Sequence, residues 1–483
     1  MGAKTGSTDT LQSNIQFVNE FKLLGIKFTS NLQNFSRINL ETKIPEIEKL
    51  LLAYKRRNLS LLGRVTVIKS LAISKLIHIF SVIDTISTEL LTKIEKLFQE
   101  FVWNGKKLRT QYCYATKSIE DGGLCLPNLK ILIGALKLTW IKRSTLENGS
   151  WQKLFKLNFD DPNLIWNLDP QSILLISKTS KNQFWKCTLH EWCEYLKHDE
   201  NINDIYTIKQ FTLWNSYYLV NTNIIKKKEQ FLRNGLVKID DLFMLDKLLS
   251  LEQFRIRFHV NINYLDFETL KRSIPLTWVN KIIRNVDQTP GNIQTPLIKL
   301  LQASKTCKYI CAHMVKKCVP TRTVHQEKWE LILGHNLENS FWRETYIRSK
   351  YITIDTKLKS FYYRIVNRLL VTNRNLKLWN ILDSDKCSFC GVQVETLEHL
   401  LSDCVYSRSI WFDLAEWLTP DINIYPLIKT EFIMLGVPLK LNFGKIINLL
   451  FLLTKRYLYV QRCFQNKINF SSLLIFLLKY RNI

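Results

Sequence analysis

Apolar residues change their period along the chain, and the period predicts the elements. Between Asn14 and Phe28 they roughly alternate with polar ones, at Ile15, Phe17, Phe21, Leu23 and Ile26. That pattern predicts two short strands around a turn. From about Asn34 the spacing lengthens to the helical 3.6 and three helices are expected. The first places Pro45 in its opening turn, where a missing N–H costs nothing. It runs through Ile47, Leu50, Leu51 and Tyr54 to Lys55-Arg56-Arg57. The second carries Leu61, Val65, Ile68, Ala72, Leu76 and Ile79 on one stripe. The third sets Leu90, Leu91, Ile94, Leu97, Phe98, Phe101 and Val102 opposite Lys93, Glu95, Lys96, Gln99 and Glu100. It should stop at Asn104-Gly105, just before Lys106, Lys107 and Arg109.

The segment Asp121-Gly122-Gly123-Leu124-Cys125-Leu126-Pro127 breaks the chain, and another helix is expected from Ala135 to Lys142. Residues of about 145–345 alternate Trp-bearing amphipathic helices with polar loops, with Asn158–Leu168 and Asp287–Gln294 as candidate linkers. A helix from Thr356 is expected to carry Arg364 and Arg368 on one face. Helical segments near 408–418, 444–465 and 470–480 end the chain, and no internal repeat is evident. The expected fold class is mainly α, with a short N-terminal β-hairpin.

Composition narrows the class. The 483 residues suit two to four domains at about 100–200 residues each. With 46% hydrophobic and 23% charged residues, 15 Gly and 11 Pro, neither wholesale disorder nor a low-complexity chain fits. The net charge of +26 points to nucleic-acid phosphates or an anionic membrane face. The apolar runs Ile446–Leu453 and Leu473–Leu478 are too short to span a bilayer, so no membrane-crossing helix is expected. The eleven cysteines are odd in number, and Met1–Glu20 lacks a secretory signal, so a reducing compartment is expected.

Clustered cysteines then read as metal ligands first. Cys387, Cys390, His399 and Cys404 form C-x2-C-x8-H-x4-C. Two thiolates two residues apart fit a knuckle around one tetrahedral zinc, and Gly391 supplies the turn. Four protein ligands leave no open position, so the expected Zn2+ is structural. The competing reading is reduced core cysteines beside a chance histidine. Cys307, Cys311, His313 and Cys318 suit one face of a helix better than a second zinc site, and Cys187, His190 and Cys193 suit helix packing.

No phosphate loop, nucleophile elbow or HExxH motif is present. Asp160-Asp161 and Asp240-Asp241 could in principle hold two magnesium ions. The residues two positions before each, Asn158 and Lys238, are not aromatic. The first pair precedes Pro162 in a polar loop, and the second heads a helix and suits N-capping. No catalytic residue is therefore assigned.

Several segments together are similar to a known family. They are Phe21–Phe28 (FKLLGIKF), Leu59–Leu76 (LSLLGRVTVIKSLAISKL), Phe101-Val102-Trp103-Asn104 and Gly122–Pro127 (GGLCLP). Further landmarks are Gly235-Leu236 with Asp241-Leu242, the stretch from Phe361 to Asn373, and KCSFC, ETLEHLLSDC and Trp411. In this order they resemble the C-terminal part of a non-LTR (LINE-type) retrotransposon reverse transcriptase, over about residues 14–465.

The resemblance implies a polar tail and primer-grip-like hairpin at 1–30 and a thumb-like helical domain at 31–145. A Trp-rich helical connector would occupy 146–345. A basic helix with a CCHC zinc-binding module would occupy 346–420, and a helical segment 421–483. The family's catalytic aspartates precede the FKLLG-like segment, where this chain holds no Asp pair. The expected function is therefore gripping template RNA, RNA–DNA hybrid or DNA duplex without polymerase chemistry, with a palm-bearing polymerase chain as a conceivable partner. The candidate nucleic-acid contacts are Lys55, Arg56, Arg57, Arg64, Lys69, Lys75, Lys106, Lys107, Arg109, Arg364 and Arg368. Arg64 and Lys75, eleven residues apart, are expected to share a helix face. Phe389, Trp379 and Trp411 could stack on bases, with core packing the safer reading for Trp411. No membrane partner is expected, and the location implied is nuclear or cytoplasmic. The alternatives are a zinc-dependent protein-interaction scaffold and a shortened reading frame of an active RNA-directed DNA polymerase.

Overall fold

The computed structural model describes residues 18–29, 34–106, 109–146, 149–219, 222–284 and 294–480. These residues are mainly helical, with two small two-stranded antiparallel sheets. The expectations for the polar tail, for Ile15 and Phe17, and for most of Asp287–Gln294 lie outside the described residues, as does Lys107.

The N-terminal hairpin pairs β1 (Glu20–Leu23) with β2 (Ile26–Thr29) through Leu24 and Gly25, both at positive φ. Phe21 stacks on Phe28 at 5.0 Å. The next helix, α1 (Phe35–Lys55), starts ten residues before Pro45 and passes through it. An internal proline costs a helix about 3 kcal/mol. The helix survives because Phe35, Leu40 and Ile44 before the proline and Ile47 and Leu51 after it enter one core. Buried Asn39 ties the hairpin to α1, accepting from the Lys27 N–H at 2.8 Å and donating to the Lys27 carbonyl at 2.9 Å.

The next helix, α2 (Leu61–Val82), contains a π-helical segment, Ile68–Ala72. It is long and apolar enough to cross a membrane by length and composition, against the expectation that no such helix is present. All six residues of its expected stripe are buried in the core shared with α1 and with α3 (Thr88–Trp103). Asn104 ends α3 in the left-handed conformation. Gly123 follows in a turn where a Cβ would sit 2.1 Å from the Lys117 carbonyl oxygen, so only glycine fits.

The next helix, α4 (Leu129–Thr145), is buried on several sides, at Leu129, Ile133, Leu138, Trp140 and Ile141. A helix apolar all round belongs inside a protein. Its first half closes the N-terminal core and its second half packs with α5 (Gln183–Lys197) and α6 (Thr306–Cys318). The boundary expected at 145 therefore falls at the end of a shared helix. Asn158–Leu168 is not a linker, because Leu164, Ile165 and Trp166 are buried. Residues from Ile208 to Ile282 form a third core.

One continuous core runs from Trp329 to Leu473. It joins α7 (Thr356–Val366), α8 (Val405–Leu418), α9 (Gly444–Phe464) and α10 (Phe470–Leu478), across the boundary expected near 420. The N-terminal unit meets this core where α2 packs on α7, and Lys117 Nζ donates to the Thr321 carbonyl at 2.8 Å just ahead of it.

Candidate metal centre

The four ligands come from two local structures. Lys386 bridges Val394, the Cys387 N–H donates to the Gln393 carbonyl at 2.8 Å, and the Gly391 N–H donates to the Cys387 carbonyl at 2.9 Å. Gly391 sits at φ +68. This tight turn presents Cys387 and Cys390 side by side. The other two ligands bracket a π-helical turn, His399–Asp403. The Cys404 N–H donates to the His399 carbonyl at 2.8 Å, five residues back. An α-helix would swing residues five apart onto different faces. The π-turn closes one revolution in that interval and returns Cys404 beneath His399.

The four donor atoms lie within 4.8 Å of one another. Cys387 Sγ is 3.9 Å from Cys404 Sγ, and Cys390 Sγ is 3.4 Å from His399 Nε2. A tetrahedral zinc with Zn–S of about 2.3 Å and Zn–N of about 2.0–2.1 Å requires about 3.8 Å between sulfurs and about 3.6 Å between sulfur and nitrogen. The donor set fits zinc in kind, number and spacing. The Cys387 thiol, then the Ser407 and Tyr406 N–H groups at the start of α8, hold the Cys404 thiol down to about 7. With no open position, the ion would organise the knuckle without contacting a substrate.

Residues 323–411 match the model of a family described as zinc-binding in reverse transcriptase. The match contains all four ligands. This part of the chain is a reverse-transcriptase-associated region with a Cys/His zinc site. It begins at Thr323, which caps the helix bearing Trp329.

Two glutamates between Cys390 and His399, which the ligand spacing does not single out, hold the module in place. Glu395, 0% exposed, accepts from the Asn373 N–H, from the Ser388 N–H and hydroxyl, and from Arg462 at 2.8 Å. It thus ties the knuckle to the Asn373–Leu378 helix and to α9. Glu398 pairs with Arg368, whose guanidinium also lies 4.5 Å over the Trp329 ring. The available signal was a pair of carboxylates inside a ligand run. Their arginine partners lie too far along the chain to be assigned by spacing.

The candidate cations divide. Lys55, Arg56 and Arg57 are exposed at the end of α1, and Lys69 and Lys75 are exposed on α2. Lys75 lies 3.6 Å from Glu46. Lys106 and Arg109 are exposed after α3. Arg64 is a correction, being 8% exposed with its guanidinium donating to the Phe101 carbonyl at 2.7 Å. That carbonyl is among the last four of α3, which have no partner within the helix. The π-helical segment between Arg64 and Lys75 also breaks the simple face arithmetic. Arg368 is a second correction. It lies beyond α7, at φ +52, because the chain reverses there with the Leu369 N–H donating to the Arg364 carbonyl. It shares no helix face with Arg364, which is half-buried.

Among the stacking candidates, Trp411 is fully buried and donates to the Leu401 carbonyl at 2.8 Å. Phe389 packs on the same core. Among the described residues no second Cys/His group converges as the knuckle does. Asp161 caps the short helix Pro162–Trp166, and the Asp241 carboxylate accepts from the Val237 and Lys238 N–H groups.

Proposed function

We propose that the chain is a nucleic-acid-gripping part of a non-LTR (LINE-type) reverse transcriptase that binds template RNA or primer–template duplex. The observation that carries this reading is a reverse-transcriptase zinc module on a chain of net charge +26. The zinc would hold the knuckle rigid, and the contacts would be made by exposed cations that no carboxylate among the described residues neutralises. Lys55, Arg56, Arg57, Lys69, Lys106 and Arg109 meet that description. In this reading the helical domain 31–145 plays the thumb, and polymerase chemistry comes from a palm-bearing chain.

Such binding is phosphate-driven and releases counterions, so log K falls by about 0.9 per phosphate contact for each unit of log[salt]. The test is binding of an RNA–DNA duplex from low to high salt, with zinc content measured on the same sample. A steep slope is expected. Affinity that does not change with salt, or a chain that binds no nucleic acid, overturns the reading.

A further inference from the structure

The segment after α3 reaches α7, with Thr110 Oγ1 3.4 Å from the Tyr363 hydroxyl, and α7 packs on α9; cations gather at this junction. Arg364 on α7 lies one turn from Phe361, and Arg456 on α9 lies 5.0 Å over that Phe361 ring. The first turns of α2 pack on α7, which brings Arg64 beneath the group, anchored on the Phe101 carbonyl. Lys106 leaves α3 through Asn104 and Gly105, with its N–H on the Trp103 carbonyl. Partial desolvation, then repulsion from Arg364, Arg64 and Arg456, lowers the Lys106 pKa. Burial lowers that of Arg364, with Tyr459 opposing and Arg456 and Arg64 adding to the effect.

Neighbouring arginines are treated differently. Arg462, two turns further along α9, is paired with Glu395, and Arg368, four residues from Arg364, is paired with Glu398. Among the described residues, no carboxylate lies within 4.0 Å of Lys106, Arg364 or Arg456, and their side chains make no hydrogen bond. Exposed Lys106 and half-buried Arg364 and Arg456, from distant parts of the chain, repel one another, which costs free energy unless an anion joins them. Guanidinium forks beside an ammonium match the oxygens of a phosphate.

We propose that Lys106, Arg364 and Arg456 form a notch at the junction of the N-terminal helical unit and the C-terminal core that takes a backbone phosphate of the bound nucleic acid. This rests on the nucleic-acid reading above and deepens it. A phosphate held there would also tie the two units together.

Cys463 on α9 supplies a reporter. It is exposed and lies two turns after Arg456 on the same helix, whereas exposed Cys318 lies on α6. The experiment measures RNA–DNA duplex binding over a salt series for wild type, R364Q/R456Q and the charge-matched control K153Q/K316Q. In parallel, N-ethylmaleimide labelling of Cys463 and Cys318 is followed with no addition, with duplex and with inorganic phosphate. The notch predicts a salt slope smaller by about 1–2 in R364Q/R456Q and roughly tenfold weaker binding at low salt, with the control little changed. It also predicts that duplex protects Cys463 and leaves Cys318 reactive. K106Q, at an exposed position, provides the same comparison should the double variant not fold. If wild type binds duplex while the variants keep the slope and Cys463 stays reactive, the notch is wrong and the broader reading stands. Protection by inorganic phosphate alone overturns the backbone-phosphate assignment. If wild type binds no duplex at any salt, both readings fall.

Discussion

The zinc module and the N-terminal helical unit both carry clustered Lys and Arg, and they use them in opposite ways. Around the knuckle the guanidinium groups turn inward, Arg462 onto Glu395 and Arg368 onto Glu398 and Trp329. On α1 and α2 the cations Lys55, Arg56, Arg57 and Lys69 face solvent, and Arg64 is the exception that was drawn inside. The same side chain is therefore structural or available according to whether a carboxylate or carbonyl waits beside it. Charge counted along the sequence overstates what a partner can reach.

The comparison breaks most decisively at the metal. Structural zinc contributes about 10–16 kcal/mol of apparent binding free energy at neutral pH. Chelation, or Cys390→Ser, should make 380–415 protease-sensitive while 35–103 stays resistant. Equal resistance of mutant and wild type in the module would rule out the metal-held knuckle. Mass spectrometry of the limited digests reads both regions at once.

Glu395→Ala comes next. It leaves Arg462 buried without its partner, and breaking such a pair costs about 3–5 kcal/mol. Denaturant unfolding should show the loss. A cost below about 1 kcal/mol would mean that Glu395 does not clamp the knuckle.

The C-terminal core also carries a pH dependence. Lys455 on α9 is fully buried, bonded to the Ile433 and Met434 carbonyls at 2.5 and 3.2 Å, with the Tyr362 ring 5.9 Å away. Burial, then repulsion from Arg348, holds its pKa down to about 7. The unfolded value is about 10.4, so between the two the unfolded chain binds more protons and stability rises with pH, by at most about 1.4 kcal/mol per unit. Below the folded value this rise stops. Lys455→Met should flatten the rise of the thermal midpoint between pH 7 and 10, and an unaltered profile would remove Lys455 as its source.

The smallest effects sharpen the division of the cations. Arg64→Ala should cost about 1.5–3 kcal/mol of stability and leave the salt slope of duplex binding unchanged. Lys69→Ala should leave stability within about 0.5 kcal/mol and reduce the slope by about 1. The reverse pattern would exchange their roles.

Much is legible in the sequence. The described part of the alternating stretch forms the hairpin, the stripe Leu61–Ile79 is the buried side of α2, and the Asn104-Gly105 stop holds. The ligand spacing singled out the site, because few backbone arrangements place three thiols and an imidazole so close in sequence. The failures share one cause. Pro45 in mid-helix, the π-turns at 68–72 and 399–403, and the burial of Arg64 are local conformations chosen by packing on distant residues, against local preference.

The sequence by itself determined the helical class, the knuckle's ligands and the excess of positive charge. These depend on residue type and on spacing within a turn or two, where covalent geometry sets the distances. Only the tertiary structure decided which cations remain unneutralised and which glutamates clamp the knuckle. It alone brings Lys106, Arg364 and Arg456 together, since charge neutralisation acts through space and the partners lie far apart along the chain.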